Sequence, residues 1–299
     1  MDRFHLMSVF VTVAEEESFA AAARKLGLSA PAVTRAVAAL EERLAIKLLD
    51  RTTRFVRATE AGRRYLDDAR RILQEVDEVE EAAAGVNAAP RGQLAVTAPV
   101  QFGRMFVLPV VVDYLRRYPG AQVSALFLDR VVNMLEEGID VGVRIGELPD
   151  SSLQAIRVAT VRRVLCASPE YLRARGEPRA PADLAGHDIV SALGISPTIE
   201  WKFGHGRTAQ TQRIEPRLAT SSNDSAIEAA ASGFGIARLL SYQIAPHLAA
   251  GKLKIVLSEY EPAQVPVHVL HREGRYASAK VRTFVDLTVA ALRRDDAMY

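Results

Sequence analysis

Ten basic residues fall between positions 24 and 64: Arg24, Lys25, Arg35, Arg43, Lys47, Arg51, Arg54, Arg57, Arg63 and Arg64. Only four acids, Glu41, Glu42, Asp50 and Glu60, stand among them, so this stretch is strongly positive in a 299-residue chain of net charge +2. Such a segment offers polyanion binding, because guanidinium and ammonium groups neutralise phosphates and an arginine fork can read a guanine edge. Residues 66–90 invert the sign, with seven acids against Arg70 and Arg71. Charge alone fits solvated helical faces equally well. Spacing has to decide.

The other chemistry-bearing residues are sparse. Cys166 is the only cysteine, so it can neither form an intrachain disulfide nor complete a thiolate metal site by itself. It reads as a buried strand residue. His268 and His271 stand three apart in a predicted strand, which sends them to opposite faces and argues against a shared metal. No Ser-His-Asp spacing, phosphate-binding glycine loop or metal-ligand cluster stands out. The expectation is a protein that is not an enzyme and needs neither metal nor cofactor.

A composition of 49% hydrophobic and 25% charged residues is that of a globular chain, and the length favours two or three domains. Met1-Asp2-Arg3-Phe4-His5 lacks the pattern of a secretory signal, and no run of about 18 apolar residues suggests a membrane span. A cytoplasmic protein with no membrane partner is expected.

Local signals now position the basic residues. Leu6, Phe10 and Val13 recur at helical spacing, predicting a first helix to about Glu16. Ser18 is placed to cap a second through Ala20–Ala23 to Leu26, stopped by Gly27. Ser29 can cap a third, with Pro31 tolerated in its first turn. There Val33, Val37, Leu40 and Leu44 form one apolar stripe, while Thr34, Arg35 and Ala38 point elsewhere. Two short helices around a glycine turn read as a helix-turn-helix, though a small three-helix bundle has the same periodicity. Small Ala30, Ala32 and Ala36 would let the second helix approach DNA closely. Lys47 to Thr59 then reads as strand, basic turn, strand: a wing whose Arg51 and Arg54 can bind phosphate or a narrow minor groove.

Here the chain resembles a known family. Ser18-Phe19-Ala20-Ala21-Ala22-Ala23, Leu26 to Arg35, and Leu40-Glu41-Glu42-Arg43-Leu44 are similar to the helix-turn-helix of LysR-type transcriptional regulators. Leu49-Asp50-Arg51-Thr52-Thr53-Arg54, followed by Thr59-Glu60-Ala61-Gly62, is similar to that family's wing and following helix. The match spans roughly sixty residues. Ala30 departs from it, standing where the family often has a base-touching glutamine. The DNA-binding residues implied are Ser29, Ala30, Pro31, Ala32, Thr34, Arg35, Arg51, Thr52, Thr53 and Arg54.

Thr59 caps a long predicted helix, Glu60 to about Ala89. Its Tyr65, Ala69, Ile72, Val76, Val79 and Ala83 alternate at spacings of four and three, the a/d seam of a two-stranded coiled coil. Pro90-Arg91-Gly92 breaks the helix.

From Gln93 the chain alternates strands and helices, an α/β pattern. Leu94–Thr97, Val123–Leu128 and Ile139–Arg144 are predicted strands; Arg104–Tyr118 and Val131–Glu137 are predicted helices. A return through Val267–Leu270 and a final helix, Val281 to Leu292, suggests two lobes crossed more than once. The expected organisation is an all-α winged helix-turn-helix at 1–59, a linker and dimerisation helix at 60–89, and an α/β two-lobed, periplasmic-binding-protein-like domain at 92–299. The first lobe takes about 92–161 and 267–299, the second about 162–266.

The resemblance implies an effector cleft between the lobes. Ala98, Pro99, Val100, Gln101 and Phe102, at a strand-to-helix loop, and Ser222 and Asn223, before a second helix, offer free amides to an anionic or carbonyl oxygen. Arg144 and Trp201 are expected as further walls. Gln101 stands where relatives carry a small hydroxyl residue, so a smaller cleft or different ligand group is expected. Implied partners are double-stranded promoter DNA, a small-molecule effector, further copies of the chain as a dimer or dimer of dimers, and RNA polymerase. An α/β solute-binding protein, or an enzyme with an accessory helical domain, would explain only part of the chain.

Overall fold

The computed structural model describes residues 2–51, 56–83, 89–148, 153–192, 200–272 and 277–295. It divides into two compact units, residues 1–88 and 89–299.

In the first unit α1 (Arg3–Glu16), α2 (Phe19–Leu26) and α3 (Ala30–Leu44) enclose a core of Leu6, Phe10, Val13, Val33, Val37 and Leu40. The caps follow from residue type. Ser18 Oγ accepts from the Ala21 amide at 3.2 Å, and Ser29 Oγ from Ala32 at 3.3 Å, satisfying amides with no intrahelical partner. Gly27 ends α2 at φ +63°, a left-handed conformation that glycine adopts without steric cost. The expected stripe along α3 stops one turn early. Leu44 is exposed, because the helix ends there and Ala45 turns left-handed at φ 53°. Strands β1 (Leu49–Arg51) and β2 (Val56–Ala58) pair antiparallel as the wing's base.

Helix α4 spans Glu60–Ala83, about 36 Å at 1.5 Å per residue. Thr59 Oγ1 caps it, accepting from the Gly62 amide at 2.9 Å while donating to the Lys47 carbonyl at 2.9 Å. Gly62 is required by a close approach. A Cβ there would collide with the backbone carbonyl of Leu48 in front of β1. The alanine normally favoured inside a helix is thus excluded, and α4 is seated against the wing.

The second unit has two lobes, each built on a five-stranded sheet. The first joins β3 (Gly92–Ala98), β4 (Ala121–Phe127), β5 (Val141–Ile145), β6 (Gln154–Val161) and, after the excursion below, a return strand Val265–His271. Between β3 and β4 lie a single helical turn α5 (Val100–Phe102), a widened π turn (Gly103–Val107) and α6 (Leu108–Arg117). The predicted helix from Arg104 therefore starts earlier and is not regular. Pro109 has no N–H to donate to Met105, and the Leu108 amide reaches back five residues to the Gly103 carbonyl instead. The predicted helix Val131–Glu137 is absent. Asn133 Oδ1 accepts from the Leu135 amide at 3.2 Å, the Ile139 amide closes a single turn on Met134, and left-handed Gly138 ends it.

The second lobe comprises β7 (Arg163–Ala167), α7 (Pro169–Arg175), β8 (Ile189–Ala192), β9 (Glu200–Phe203), β10 (Gln210–Arg213), β11 (Leu218–Thr220), α8 (Asn223–Ala231), β12 (Ile236–Leu240), α9 (Ser241–Ala249) and β13 (Lys254–Val256). Its sheet runs β11-β8-β12-β7-β13, with β9 and β10 a separate hairpin. The chain returns as β14 (Val265–His271), giving the first sheet the order β4-β3-β5-β14-β6, and α10 (Ala279–Leu292) packs back on that lobe. The two crossings are tied together. Arg162 exchanges backbone and hydroxyl hydrogen bonds with Ser241 and pairs with Glu261 at 3.3 Å. Tyr242 of α9 enters the first lobe's core against Phe102 and Phe106, at 5.3 and 5.7 Å between ring centroids.

Candidate functional sites

The first site lies on α3. Ser29, Ala30, Pro31, Thr34 and Arg35 are exposed, and Ala32 is half-buried. Ala36 is not on that surface; it is packed into the helical core beside Val33 and Val37. Thr34 Oγ1 donates to the Ala30 carbonyl at 3.0 Å. Other cations of this unit are held by acids, among them Lys25 by Glu16 at 2.8 Å, Lys47 by Glu41 at 2.9 Å and Arg64 by Glu60 at 2.6 Å. Arg35 has no such partner among the described residues, so its fork is open to an external acceptor. Arg51 contributes the last backbone pairing of β1, opposite Val56, while Thr52, Thr53 and Arg54 lie outside the described residues.

One positioning residue has no counterpart among the sequence-predicted sites. Glu41, in the last turn of α3, is buried, and its carboxylate accepts from the Leu48 and Leu49 amides at 2.9 and 3.1 Å and from Lys47. Burial alone would push its pKa up. The hydrogen bonds from Lys47, Leu49 and Leu48 outweigh that and hold it below the usual carboxylate range. The wing is thereby fastened to the end of the helix that precedes it. The sequence signal was helical phase: Glu41 stands four residues after Val37 on the flank of the apolar stripe, and Glu42 faces away from it.

The seam on α4 is shorter than its spacing suggests. Tyr65 packs edge-on to Phe10 at 5.4 Å, Ala69 is fully buried, and Arg70 pairs with Glu15 of α1 at 2.9 Å. These first two seam positions are consumed within their own unit. Ile72 and Val76 are half-buried, and the side chains of Val79 and Ala83 lie outside the described residues.

The second site is a cavity of about 580 Å³ between the lobes, within the range of small-metabolite pockets. Pro99, Trp201 and Asn223 line it. The other expected residues are elsewhere. Ala98 and Phe102 are in the first lobe's core, and Val100 is partly exposed outside the lining. Ser222 caps α8 by accepting from the Ser225 amide at 3.2 Å. Gln101 is buried and donates through Nε2 to Asp224 of the other lobe at 2.6 Å, a link between lobes and not a cavity wall. Arg144 faces the side of the first sheet covered by residues 130–137, where burial lowers its pKa; its neighbour Ile145 is the one that reaches the cavity. Strand alternation, read one residue off, exchanges the two.

The helix N-termini expected to bind an anion are also taken. The Val100 amide donates to Asp129 Oδ1 at 3.0 Å, and α5 is only three residues long. Charge in the cavity instead comes from the second lobe, where Arg163 on β7 and Arg238 on β12 are diagonal neighbours on one sheet face. Arg238 lies over the rings of Trp201 at 5.4 Å and Phe203 at 5.9 Å, and its buried Nη1 has no hydrogen-bond partner. Desolvation by burial and then the charge of Arg163 bring its pKa down to about 9. Arg163, open to the cavity yet crowded by protein atoms, is likewise pushed down by desolvation. Asp129, Glu200 and Lys202 complete the charged lining, and no described carboxylate pairs with either arginine. The sequence signal was available: Arg238 interrupts one apolar strand and Arg163 opens another.

Cys166 is buried in β7, its thiol pushed up to about 12 by burial. Among the described residues no group of three His, Cys, Asp or Glu could hold a metal, and no helix is long and apolar enough to cross a membrane.

A helix-turn-helix unit followed by a two-lobed α/β unit is the domain arrangement of a transcription regulator. Residues 4–63 match the bacterial regulatory helix-turn-helix protein, lysR family, and residues 87–293 match the LysR substrate binding domain. The chain belongs to the LysR family. It is 35% identical to an HTH-type transcriptional repressor of Pseudomonas aeruginosa, covering 96% of this chain and 91% of the relative. It is 32% identical to the HTH-type transcriptional activator AaeR of Escherichia coli, covering 96% and 93%. The structure of CrgA, a LysR-type regulator from Neisseria meningitidis, is similar at TM-score 0.62 and 31% identity, covering 96% of this chain and 98% of that one. A full-length AphB variant shares the fold at TM-score 0.64 and 24% identity, covering 96% and 98%. Members of this family are transcription regulators and not enzymes.

Proposed function

We propose that the chain binds promoter DNA as a homo-oligomer, with the exposed N-terminal face of α3 in the major groove and the wing, Arg51 to Arg54, on flanking phosphate. Oligomerisation uses α4 beyond Ala69, from Ile72 onward, and pairs two α3 helices for two half-sites. A small-molecule effector in the interlobe cleft biases one arrangement of lobes over another, and so alters DNA binding; it can do so only through differential affinity for the two. The protein works in the cytoplasm, where promoter DNA is. The observation that carries the reading is Arg35, exposed beside Ser29, Ala30 and Thr34 and without an acid among the described residues.

Fluorescence anisotropy on duplexes selected by the parent protein from a random pool tests it. Arg35→Ala should weaken selected duplexes by about 1–3 kcal/mol, with little effect on unselected DNA. Arg54→Ala should weaken both alike and reduce the salt slope by about 1. Unchanged affinity in both variants would remove α3 and the wing as the interface.

A further inference from the structure

Resting on the reading of the cleft as the effector site, we propose that the ligand is a small organic carboxylate with a compact apolar body, its carboxylate bridging Arg163 and Arg238. Four observations converge on this. The expected anion sites are occupied internally: Asp129 holds the Val100 amide, and Ser222 caps α8. Arg163 and Arg238 share one sheet face and line the cavity with no acid paired to them among the described residues. The Arg238 guanidinium is fixed by two aromatic faces yet leaves a buried Nη1 without an acceptor, which is costly in the free protein unless something completes it. The rest of the lining suits an apolar body: Pro99, Ile145, Leu239, Leu240, Pro262 and Ala263.

Two charges of one sign, close together and partly desolvated, repel each other; burial first, and the charge of Arg163 second, lower the pKa of Arg238. A carboxylate between them removes the repulsion and supplies the missing acceptor at once, in the bidentate geometry that favours arginine over lysine. A carboxamide of the same shape offers one neutral oxygen and keeps the repulsion. The pair benzoate and benzamide, and the pair hexanoate and hexanamide, separate charge from shape.

Calorimetry and thermal shift on the full chain, at constant ionic strength, provide the test. At least one acid should bind ten-fold or more tightly than its amide, and Arg163→Gln and Arg238→Met should each weaken that acid ten-fold or more. Ala263→Trp, at an exposed lining position, should block the cavity and abolish binding without touching the arginines. Acids that fail to bind, or amides that bind equally, would overturn the proposal. If amides bind equally and Ala263→Trp blocks them, the cleft remains the effector site and only the carboxylate assignment falls. If acids bind but ignore Ala263→Trp, the cleft reading falls as well. Sulfate giving the same stabilisation as the acids would also overturn it, by removing the need for an organic body.

Discussion

Glu41 in the helical unit and Arg238 in the α/β unit are both charged groups drawn in among apolar neighbours, and they are treated in opposite ways. Glu41 receives two backbone amides and a lysine ammonium, so its charge is neutralised by groups that the fold supplies. Arg238 rests on Trp201 and Phe203, shares its sheet face with another arginine, and keeps one buried nitrogen unpartnered. A satisfied buried charge fixes structure, here the angle of the wing against α3. An unsatisfied one beside a cavity is open to an acceptor from outside the fold.

The comparison breaks first, and by the largest amount, at Glu41. Glu41→Ala leaves the Leu48 and Leu49 amides without acceptors in a buried setting, at about 1–3 kcal/mol each. Chemical denaturation of the helical unit should register a loss of about 3 kcal/mol. Glu41→Gln keeps an acceptor and should lose less. Because the folded pKa lies below its unfolded value near 4.3, the stabilisation from this group is present above that unfolded value and is lost as pH falls through the lower, folded pKa. Glu41→Gln should therefore flatten the acid limb of the stability profile. An unchanged acid limb would show that Glu41 is not the charge that fastens the wing.

At Arg238 the expected change in stability is small and of opposite sign. Arg238→Met keeps volume against Trp201 and Phe203, forfeits a cation–π contact of about 1–2 kcal/mol, and removes both an orphan donor and the repulsion with Arg163. Ligand-free stability should stay within about 1 kcal/mol of the parent or rise above it. A loss matching that of Glu41→Ala would mean that Arg238 is a structural charge like Glu41.

The same contrast explains what could be read from the sequence. In the helical unit the deciding interactions are local: Ser18, Gly27, Ser29 and Thr59 act within three or four residues of the backbone they cap. Residue type at short spacing therefore identifies them. Tyr65 and Ala69 defeated that logic, because periodicity says which side chains share a helix face but not whether α1 or another protomer covers it. In the cleft the deciding relations are long-range. Arg163 meets Arg238 across 75 positions of sequence through strand pairing, and Gln101 meets Asp224 across 123. Arg144 and Ile145 differ by one residue and face opposite sides of a sheet. Only the register reveals which one reaches the cavity.

The smallest effect, and the sharpest comparison with Glu41, belongs to Gln101. Its Nε2 donates to Asp224 across the lobes at 2.6 Å, a charge-assisted bond that a list of contacts would rank beside those of Glu41. Its other end differs: Oε1 is buried with no partner. Gln101→Leu therefore removes a favourable bond and an unfavourable orphan together, and Asp224, with 56% of its side chain exposed, falls back on water and on Arg104 at 3.7 Å. The two terms are similar in size, so global stability should move by less than about 1 kcal/mol in denaturant titration. What is lost is one of the links between the first lobe and the start of α8. Hydrogen exchange at residues 222–226 should accelerate several-fold while the sheet strands of both lobes remain protected. A stability loss near that of Glu41→Ala, or unchanged exchange at the start of α8, would mean that Gln101 serves the first lobe's core and does not join the lobes.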